Sequence, residues 1–264
     1  MPLRQILILK NKEIAPGYFL MELASTPIAQ SSSPGQFLHI KCSKNNNLLL
    51  RRPFSIHRVI SEDTVEILYK VVGKGTLCLS QKKKGEKVDC IGPLGRGFQL
   101  PEDRKQKTEN RKLLVAGGVG IAPLFFLAER IKRLPMNVFL GTKTKDELLC
   151  IKELKNLGAD LHIATEDGSL GYKGLVSTLL KNKLSSVVCR PSSVVYACGP
   201  KGMLKEVALL SKEHKIPCQV SFEQFMGCGI GICNSCVIRT KQGYKRVCKD
   251  GPVFSSEAID WEKI

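Results

Sequence analysis

The sequence predicts an α+β multi-domain chain: a small antiparallel β-barrel, an α/β domain on a parallel sheet, and a small cysteine-rich C-terminal domain. Three observations carry that expectation. Up to about residue 100, short alternating apolar runs are broken by turn residues; from Leu113, buried-type strands alternate with segments long enough for helices; from Met226 to Cys236, glycines and cysteines crowd together. A length of 264 residues suits two domains with a small third, bounded here as 1–101, 111–221 and 222–264.

In the first domain the expected strands are Ile6 to Leu9, Tyr18 to Leu23, Phe37 to Lys41, Val65 to Val72 and Lys87 to Ile91, the spacing of a small antiparallel barrel. Its chemistry begins at Arg51-Arg52-Pro53-Phe54-Ser55. An arginine can fork onto a pyrophosphate, an aromatic ring can lie flat against a planar heterocycle, and a hydroxyl can bond a ring nitrogen. By periodicity alone these residues read as surface and core at a strand edge. A second stretch, Val72-Gly73-Lys74-Gly75-Thr76, precedes the helical run Leu77 to Gln81. Thr76 is expected to cap that helix, and the N–H groups at its start could share one diphosphate with the arginine motif. Alone, Gly73-Lys74-Gly75 reads as readily as an ordinary loop. Leu68-Tyr69-Lys70, on the strand leading in, adds a ring face and a charge. The glycine-rich turn Ile91 to Phe98 closes the domain, and the charged stretch Glu102 to Lys112 reads as a linker.

In the second domain Leu113 to Ala116 is a buried strand, Gly117-Gly118-Val119-Gly120 a turn, and Pro123 the start of a helix with Leu124, Leu127, Ala128 and Ile131 on one face. Asn137 to Leu140, Leu161 to Ala164 and Ser193 to Ala197 are further strands; Pro200 opens a helix with Met203, Val207 and Leu210 along one side. The alternation is that of a nucleotide-binding α/β domain. The glycine turn lacks the G-x-G-x-x-G spacing of the dinucleotide fingerprint, yet a glycine turn feeding a helix can cradle a diphosphate. Glu166 and Asp167, before Gly168-Ser169, read as turn and cofactor-loop residues rather than acid–base catalysts.

In the third domain Cys228, Cys233 and Cys236 stand in C-x4-C-x2-C order and Cys248 follows, the plant-type spacing for a two-iron two-sulfur cluster. Gly227, Gly229 and Gly231 are expected to take positive φ and bring N–H groups close to the bridging sulfides. Val237 to Thr240 and Tyr244 to Val247 form a hairpin that delivers Cys248. A structural zinc is the other reading, but zinc sites usually pair cysteines as two C-x-x-C knuckles, and only Cys233 to Cys236 has that form.

Composition narrows the classes. The 41 lysines and arginines against 24 acidic residues give a net charge of +17, but they are spread along the chain, and the tight run Lys82-Lys83-Lys84 precedes a turn glycine without interleaved aromatics. A solvated basic surface, and no nucleic-acid partner, is the expectation. Eleven cysteines without a secretory leader point to reduced thiols, a metal centre and a cytoplasmic compartment. The uncharged stretch Leu113 to Ala128 falls short of the roughly 20 residues that span a bilayer, so no membrane span is expected. His39, His57, His162 and His214 are scattered, and no catalytic site for an organic substrate is evident.

Taken together, Arg52-Pro53-Phe54-Ser55 with Gly75-Thr76, then Gly117-Gly118-Val119-Gly120-Ile121-Ala122-Pro123 and Cys198-Gly199-Pro200, resemble the ferredoxin reductase family of flavin and nicotinamide enzymes. Ala164 to Ser169, Met226 to Gly231 and Val247 to Phe254 resemble one branch of it closely: the electron-transfer subunits of NAD-linked, two-subunit dihydroorotate dehydrogenases. The resemblance covers essentially the whole chain. It implies an FAD-binding barrel using Arg52, Pro53, Phe54, Ser55, Leu68, Tyr69, Lys70, Gly75 and Thr76. It also implies an NAD site lined by Gly117, Gly118, Gly120, Cys198, Gly199 and Pro200, and a 2Fe-2S cluster on Cys228, Cys233, Cys236 and Cys248. Where many reductases of the wider family have tyrosine this chain has Phe54, so only stacking remains; Lys143 and Lys145, which could meet a 2′-phosphate, read as solvated loop residues. NAD takes two electrons as a hydride and a cluster passes one at a time, so a flavin between them completes a relay. The resemblance implies an FMN-containing, dihydroorotate-oxidising catalytic subunit as partner, in a heterotetramer of two copies of each. Reductase subunits of other NAD(P)H-linked complexes, and an iron–sulfur redox sensor, are the alternative readings.

Overall fold

The computed structural model describes residues 4–43, 48–100, 111–184 and 193–264. Strands β1 (Arg4–Ala15), β2 (Tyr18–Ala24), β3 (Phe37–Lys41), β4 (Arg52–Ser61), β5 (Thr64–Lys70) and β6 (Lys87–Leu94) close into a barrel in the order β1-β2-β5-β4-β3-β6. All neighbours are antiparallel. Pleat alternation sends Leu38, Ile40, Phe54, Ile56, Val65, Ile67 and Tyr69 into one apolar core and leaves Phe37, His39, Pro53, Ser55 and His57 on the outer face. The short helices α1 (Thr26–Ser31) and α2 (Lys74–Ser80) lie in the connections. β1 runs well beyond the expected Ile6 to Leu9, and β4 was not expected as a strand. Both carry register shifts, at Ile8/Lys10 and Glu13/Ala15 in one and Ile56/Arg58 and Val59/Ser61 in the other, and such bulges break the alternation that marks a strand.

The second domain supplies β7 (Lys112–Gly117), α3 (Ile121–Ile131), β8 (Met136–Thr142), α4 (Ile151–Asn156), β9 (Asp160–Thr165), β10 (Tyr172–Lys173), α5 (Val176–Lys183), β11 (Val194–Cys198), α6 (Lys201–Glu213) and β12 (Cys218–Ser221). The C-terminal part adds the hairpin β13 (Val237–Thr240) and β14 (Gly243–Arg246), a single helical turn α7 (Val247–Asp250), and β15 (Val253–Ser255). The main sheet has the order β10-β9-β8-β7-β11-β12-β15, parallel except where β15 runs against β12. The expected boundary at 221/222 falls at the end of β12, and the chain beyond it returns to the same sheet through β15. Of the stretch Glu102 to Lys112 expected as a linker, residues 102–110 lie outside the described residues, Arg111 is half-buried, and Lys112 is buried at the start of β7.

Helix α3 joins the domains. Instead of one apolar face it is buried from Ile121 through Ala128, because the sheet covers one side and the barrel the other. Phe126 packs into the barrel core, Phe125 stacks on His57 of β4 at 4.6 Å, and His57 Nδ1 lies 3.2 Å from the Ala122 carbonyl. Each such apolar side chain contributes roughly 1.5–3 kcal/mol by leaving water. Among the described residues no helix is long and apolar enough to cross a membrane.

Candidate functional site

The cysteine loop is built around sulfur acceptors. Cys228 Sγ accepts the N–H groups of Ile230 (3.5 Å), Ile232 (3.3 Å) and Cys233 (3.4 Å), while Cys233 Sγ accepts the N–H of Cys228 (3.3 Å). Cys236 Sγ accepts the N–H of Cys248 at 3.4 Å. The four ligand candidates therefore stand as two pairs, Cys228 with Cys233 and Cys236 with Cys248. Among the described residues no three His, Cys, Asp or Glu side chains converge on one ion, and a two-iron cluster asks for only two thiolates at each iron. The Ser235 hydroxyl, with backbone N–H donors behind it, pulls the exposed Cys233 thiol down to about 6, as a thiolate ligand requires. Burial pushes Cys248 up to about 12. Gly229 (φ +73°) and Gly231 (φ +84°) take the expected left-handed conformation. Gly227 does not; a Cβ there would stand 3.0 Å from Cys233 Sγ, so closeness to sulfur is what excludes a side chain. The hairpin ends at Arg246, and Cys248 is presented by α7 rather than by the strand end. Arg246 fixes that turn, bonding Asp250 and donating to the Gly231 carbonyl at 2.9 Å.

In the barrel the two stretches expected to share a diphosphate meet: a Cβ on Gly75 would lie 3.4 Å from Arg52 Nε. Among the described residues the Arg52 guanidinium donates only to the carbonyls of Leu50 and Arg51, whereas Arg51 is committed to Asp89 at 2.7 Å. Thr76 is not the cap. Helix α2 starts at Lys74 with Gly73 as N-cap, and Thr76 reaches back from the first turn: Oγ1 accepts from Val72 N (2.9 Å) and Gly73 N (3.2 Å) and donates to Gly73 O (3.0 Å). Its hydroxyl thus serves N–H groups on the N-terminal side of the helix, not those after it that a cap would meet. Pro53 and Ser55 lie half-buried on the outer face, and Leu68 joins the core of the second domain. Phe54 and Tyr69 turn into the barrel, edge to face at 5.5 Å, with Phe54 only 6% exposed. The Lys70 ammonium is taken by Glu147 at 2.7 Å and lies over the Tyr18 ring.

The glycine turn and Cys198-Gly199-Pro200 come together at the carboxyl ends of β7 and β11. A Cβ on Gly120 would fall on the Cys198 carbonyl oxygen and 2.6 Å from its carbon, and one on Gly117 would meet Pro200 Cδ at 2.7 Å. Crevices at strand carboxyl ends are where open α/β sheets take nucleotides. Lys143 and Lys145 sit beside this edge, their backbone N–H groups donating to Glu147 (3.4 Å) and Ser169 (2.8 Å).

Three residues the sequence reading passed over belong here. Glu223 lies just past β12, its carboxyl raised by desolvation although the residue keeps exposed surface, and its charge adds to the burial that raises the Cys198 thiol. His57 ties β4 to α3. His39 lies under the cysteine loop, where burial pulls it down to about 4. The signal for both histidines was alternation: each stands between inward-facing apolar residues and so points outward, toward whatever covers the barrel.

Comparisons with known proteins agree with this arrangement. The family model for the iron-sulfur cluster binding domain of dihydroorotate dehydrogenase B matches residues 223–260, and that for the oxidoreductase NAD-binding domain matches residues 114–208. The dihydroorotate dehydrogenase B (NAD(+)), electron transfer subunit of Desulforamulus reducens is 41% identical over 256 residues, covering 94% of this chain and 95% of the relative. The protein of the same name from Caldanaerobacter subterraneus is 38% identical, with 96% of each covered. Among solved structures, the NADH-dependent reduced ferredoxin-NADP oxidoreductase described for flavin-based electron bifurcation superposes with a TM-score of 0.85 at 32% identity, over 98% of this chain and 91% of that one. A ferredoxin NADP+ reductase from Neisseria gonorrhoeae with bound FAD and NADP gives 0.68 at 19% identity, over 81% and 92%, a likeness of fold.

Proposed function

The chain belongs to the family of dihydroorotate dehydrogenase B electron transfer subunits, and from that premise we propose that it carries electrons from a dihydroorotate-oxidising, FMN-containing partner to NAD+ in pyrimidine biosynthesis. It is an oxidoreductase subunit that uses FAD, an iron–sulfur cluster and NAD. When bound, the flavin exchanges electrons singly with the cluster and in pairs with the nicotinamide. Cys228, Cys233, Cys236 and Cys248 would hold a two-iron cluster, which would supply one-electron transfer. The observation that carries the reading is the three backbone N–H groups aimed at Cys228 Sγ, which stabilise negative charge on sulfur.

The chain's own residues divide the work. Arg52, free of carboxylate partners among the described residues, and Gly75 with Thr76 hold the FAD diphosphate, and the half-buried Pro53 and Ser55 stand beside it. Phe54, Leu68 and Tyr69 are buried and support that strand edge from behind instead of stacking on the flavin ring, and Lys70 is held by Glu147. Gly117, Gly118, Gly120, Cys198, Gly199 and Pro200 hold NAD in the crevice above β7 and β11. The assembly is a heterotetramer of two copies of each subunit, in the cytoplasm. Exchanging Cys233 for alanine tests the relay: NADH oxidation by artificial acceptors should persist while orotate-coupled turnover with the partner ends. Retention of both activities refutes it.

A further inference from the structure

His39 has no exposed surface, and among the described residues neither Nδ1 nor Nε2 makes a well-formed hydrogen bond, the Arg51 and Cys228 backbone carbonyls being the acceptors that approach the ring. A neutral imidazole carries one N–H donor and one acceptor, and buried polar atoms of this kind are nearly always paired. Its position narrows the search for a partner. β3 pairs with β4 so that His39 stands opposite Pro53, and with β6 so that it stands opposite Ile91. Because Leu38 and Ile40 point into the barrel, the ring projects from the outer face, on the same side as Pro53. The cysteine loop lies directly on it: a Cβ on Gly229 would fall on His39 Nδ1 and 2.9 Å from Cε1.

Among the described residues no side chain pairs with either ring nitrogen: Leu38 and Ile40 are apolar, and Arg51, whose side chain carries donors only, is held by Asp89. The acceptors that face the ring are the Arg51 and Cys228 backbone carbonyls, and the loop adds sulfur to them once the cluster is in place. Resting on the reading that Cys228, Cys233, Cys236 and Cys248 hold that cluster, we propose that His39 is a positioning residue for it: the ring props the Cys228–Gly229 backbone above the flavin-motif strands, and its N–H donates to a cluster sulfur. A donor aimed at sulfur stabilises the electron added on reduction, so His39 raises the cluster's reduction potential relative to a chain without it.

The test is an anaerobic redox titration of the holoprotein, following the paramagnetic signal of the reduced cluster in wild type, His39→Leu and His39→Gln. Leucine fills space without a donor; glutamine restores an N–H. The expected result for His39→Leu is a reduced-to-oxidised ratio about tenfold lower at a fixed potential, a shift of about −59 mV for a one-electron couple. Glutamine should recover at least half of that shift, and the FAD midpoint should not move. A wild-type midpoint in loaded His39→Leu overturns the proposal, as do equal shifts in both variants. If leucine prevents iron loading while glutamine permits it with the wild-type midpoint, the donor role stands; if both lose iron alike, only ring volume matters and the donor role falls. Absence of iron from the wild type would instead remove the cluster reading itself.

Discussion

Exchanging Gly120 for alanine probes the joint between the glycine turn and Cys198-Gly199-Pro200. The added Cβ would meet the Cys198 carbonyl oxygen, stand 2.6 Å from the Cys198 carbon and 2.9 Å from Gly199 N. All three are backbone atoms, so no rotamer change relieves the contact and one strand end must move. Overpacking of this kind typically costs about 1–3 kcal/mol. Against it stands a gain of about 0.4–1 kcal/mol from restricting the unfolded chain, since Gly120 already has the helical φ of −59° that alanine accepts. The net expectation is a loss of about 1–2 kcal/mol, or roughly 2–8 °C in melting temperature. Gly202→Ala is the control: nothing lies within 4 Å of its Cβ position in α6, so the variant should melt at or above wild type. Thermal unfolding of the flavin-loaded protein and an NADH titration read both effects, with weaker NADH binding expected for Gly120→Ala alone. If Gly120→Ala melts with wild type and binds NADH equally well, the backbone contact does not hold the crevice in shape.

Acid should loosen the barrel-to-α3 joint. Burial holds His57 neutral with a pKa of about 3 against an ordinary 6.5, so between those values the unfolded chain binds a proton that the folded chain refuses. Stability present above about pH 6.5 is therefore lost at up to ~1.4 kcal/mol per pH unit as pH falls toward 3. Urea unfolding at pH 7, 6 and 5 should show a shallower fall for His57→Gln, and identical slopes would exclude His57 as the source. Thr76→Val removes the acceptor for two backbone N–H groups at the start of α2 and should cost about 1 kcal/mol with faster loss of FAD, read by denaturation and by flavin fluorescence. Glu147→Gln breaks a bridge to Lys70 whose side chains keep 35% and 24% exposure, so it should change stability by less than about 1 kcal/mol; a larger loss would mean that the bridge closes the barrel against the second domain.

How much of this was legible in the sequence depended on whether a residue's neighbours were local. Phe37 to Lys41 matched its strand because a regular pleat writes its alternation into the sequence, and the run Leu113 to Ala116 matched because a parallel strand covered on both faces is apolar throughout. The backbone of the cysteine loop was legible for a similar reason: Gly229 and Gly231 take the left-handed conformation that their short local loop demands. β4 was not, because its bulges shift the register in mid-strand. Nor was β15, since Val253-Phe254-Ser255 becomes a strand only beside β12. The role of Thr76 was not legible: the helix begins earlier than expected, at Lys74, and the hydroxyl reaches back to Val72 N and Gly73 N instead of capping the run that follows it.

The two histidines show why the outer face of β3 and β4 matters to function. Leu38, Ile40, Phe54 and Ile56 fill the barrel, so the alternate positions must face another layer, and two layers meet there: α3 over His57 and the cysteine loop over His39. Pro53 and Ser55 lie on the same face between them. An isolated barrel would expose that row to water, where polar residues are tolerated without design; under two covering layers each buried ring nitrogen needs a hydrogen-bond partner. His57 finds the Ala122 carbonyl, two residues past the Gly117–Gly120 turn, so β4 is bonded to the first turn of α3. His39 makes no well-formed hydrogen bond among the described residues, and the layer above it is the cysteine loop. The same alternation that closes the barrel thereby sets Pro53 and Ser55, the start of α3 and the cysteine loop against one surface, the arrangement that the proposed relay would use.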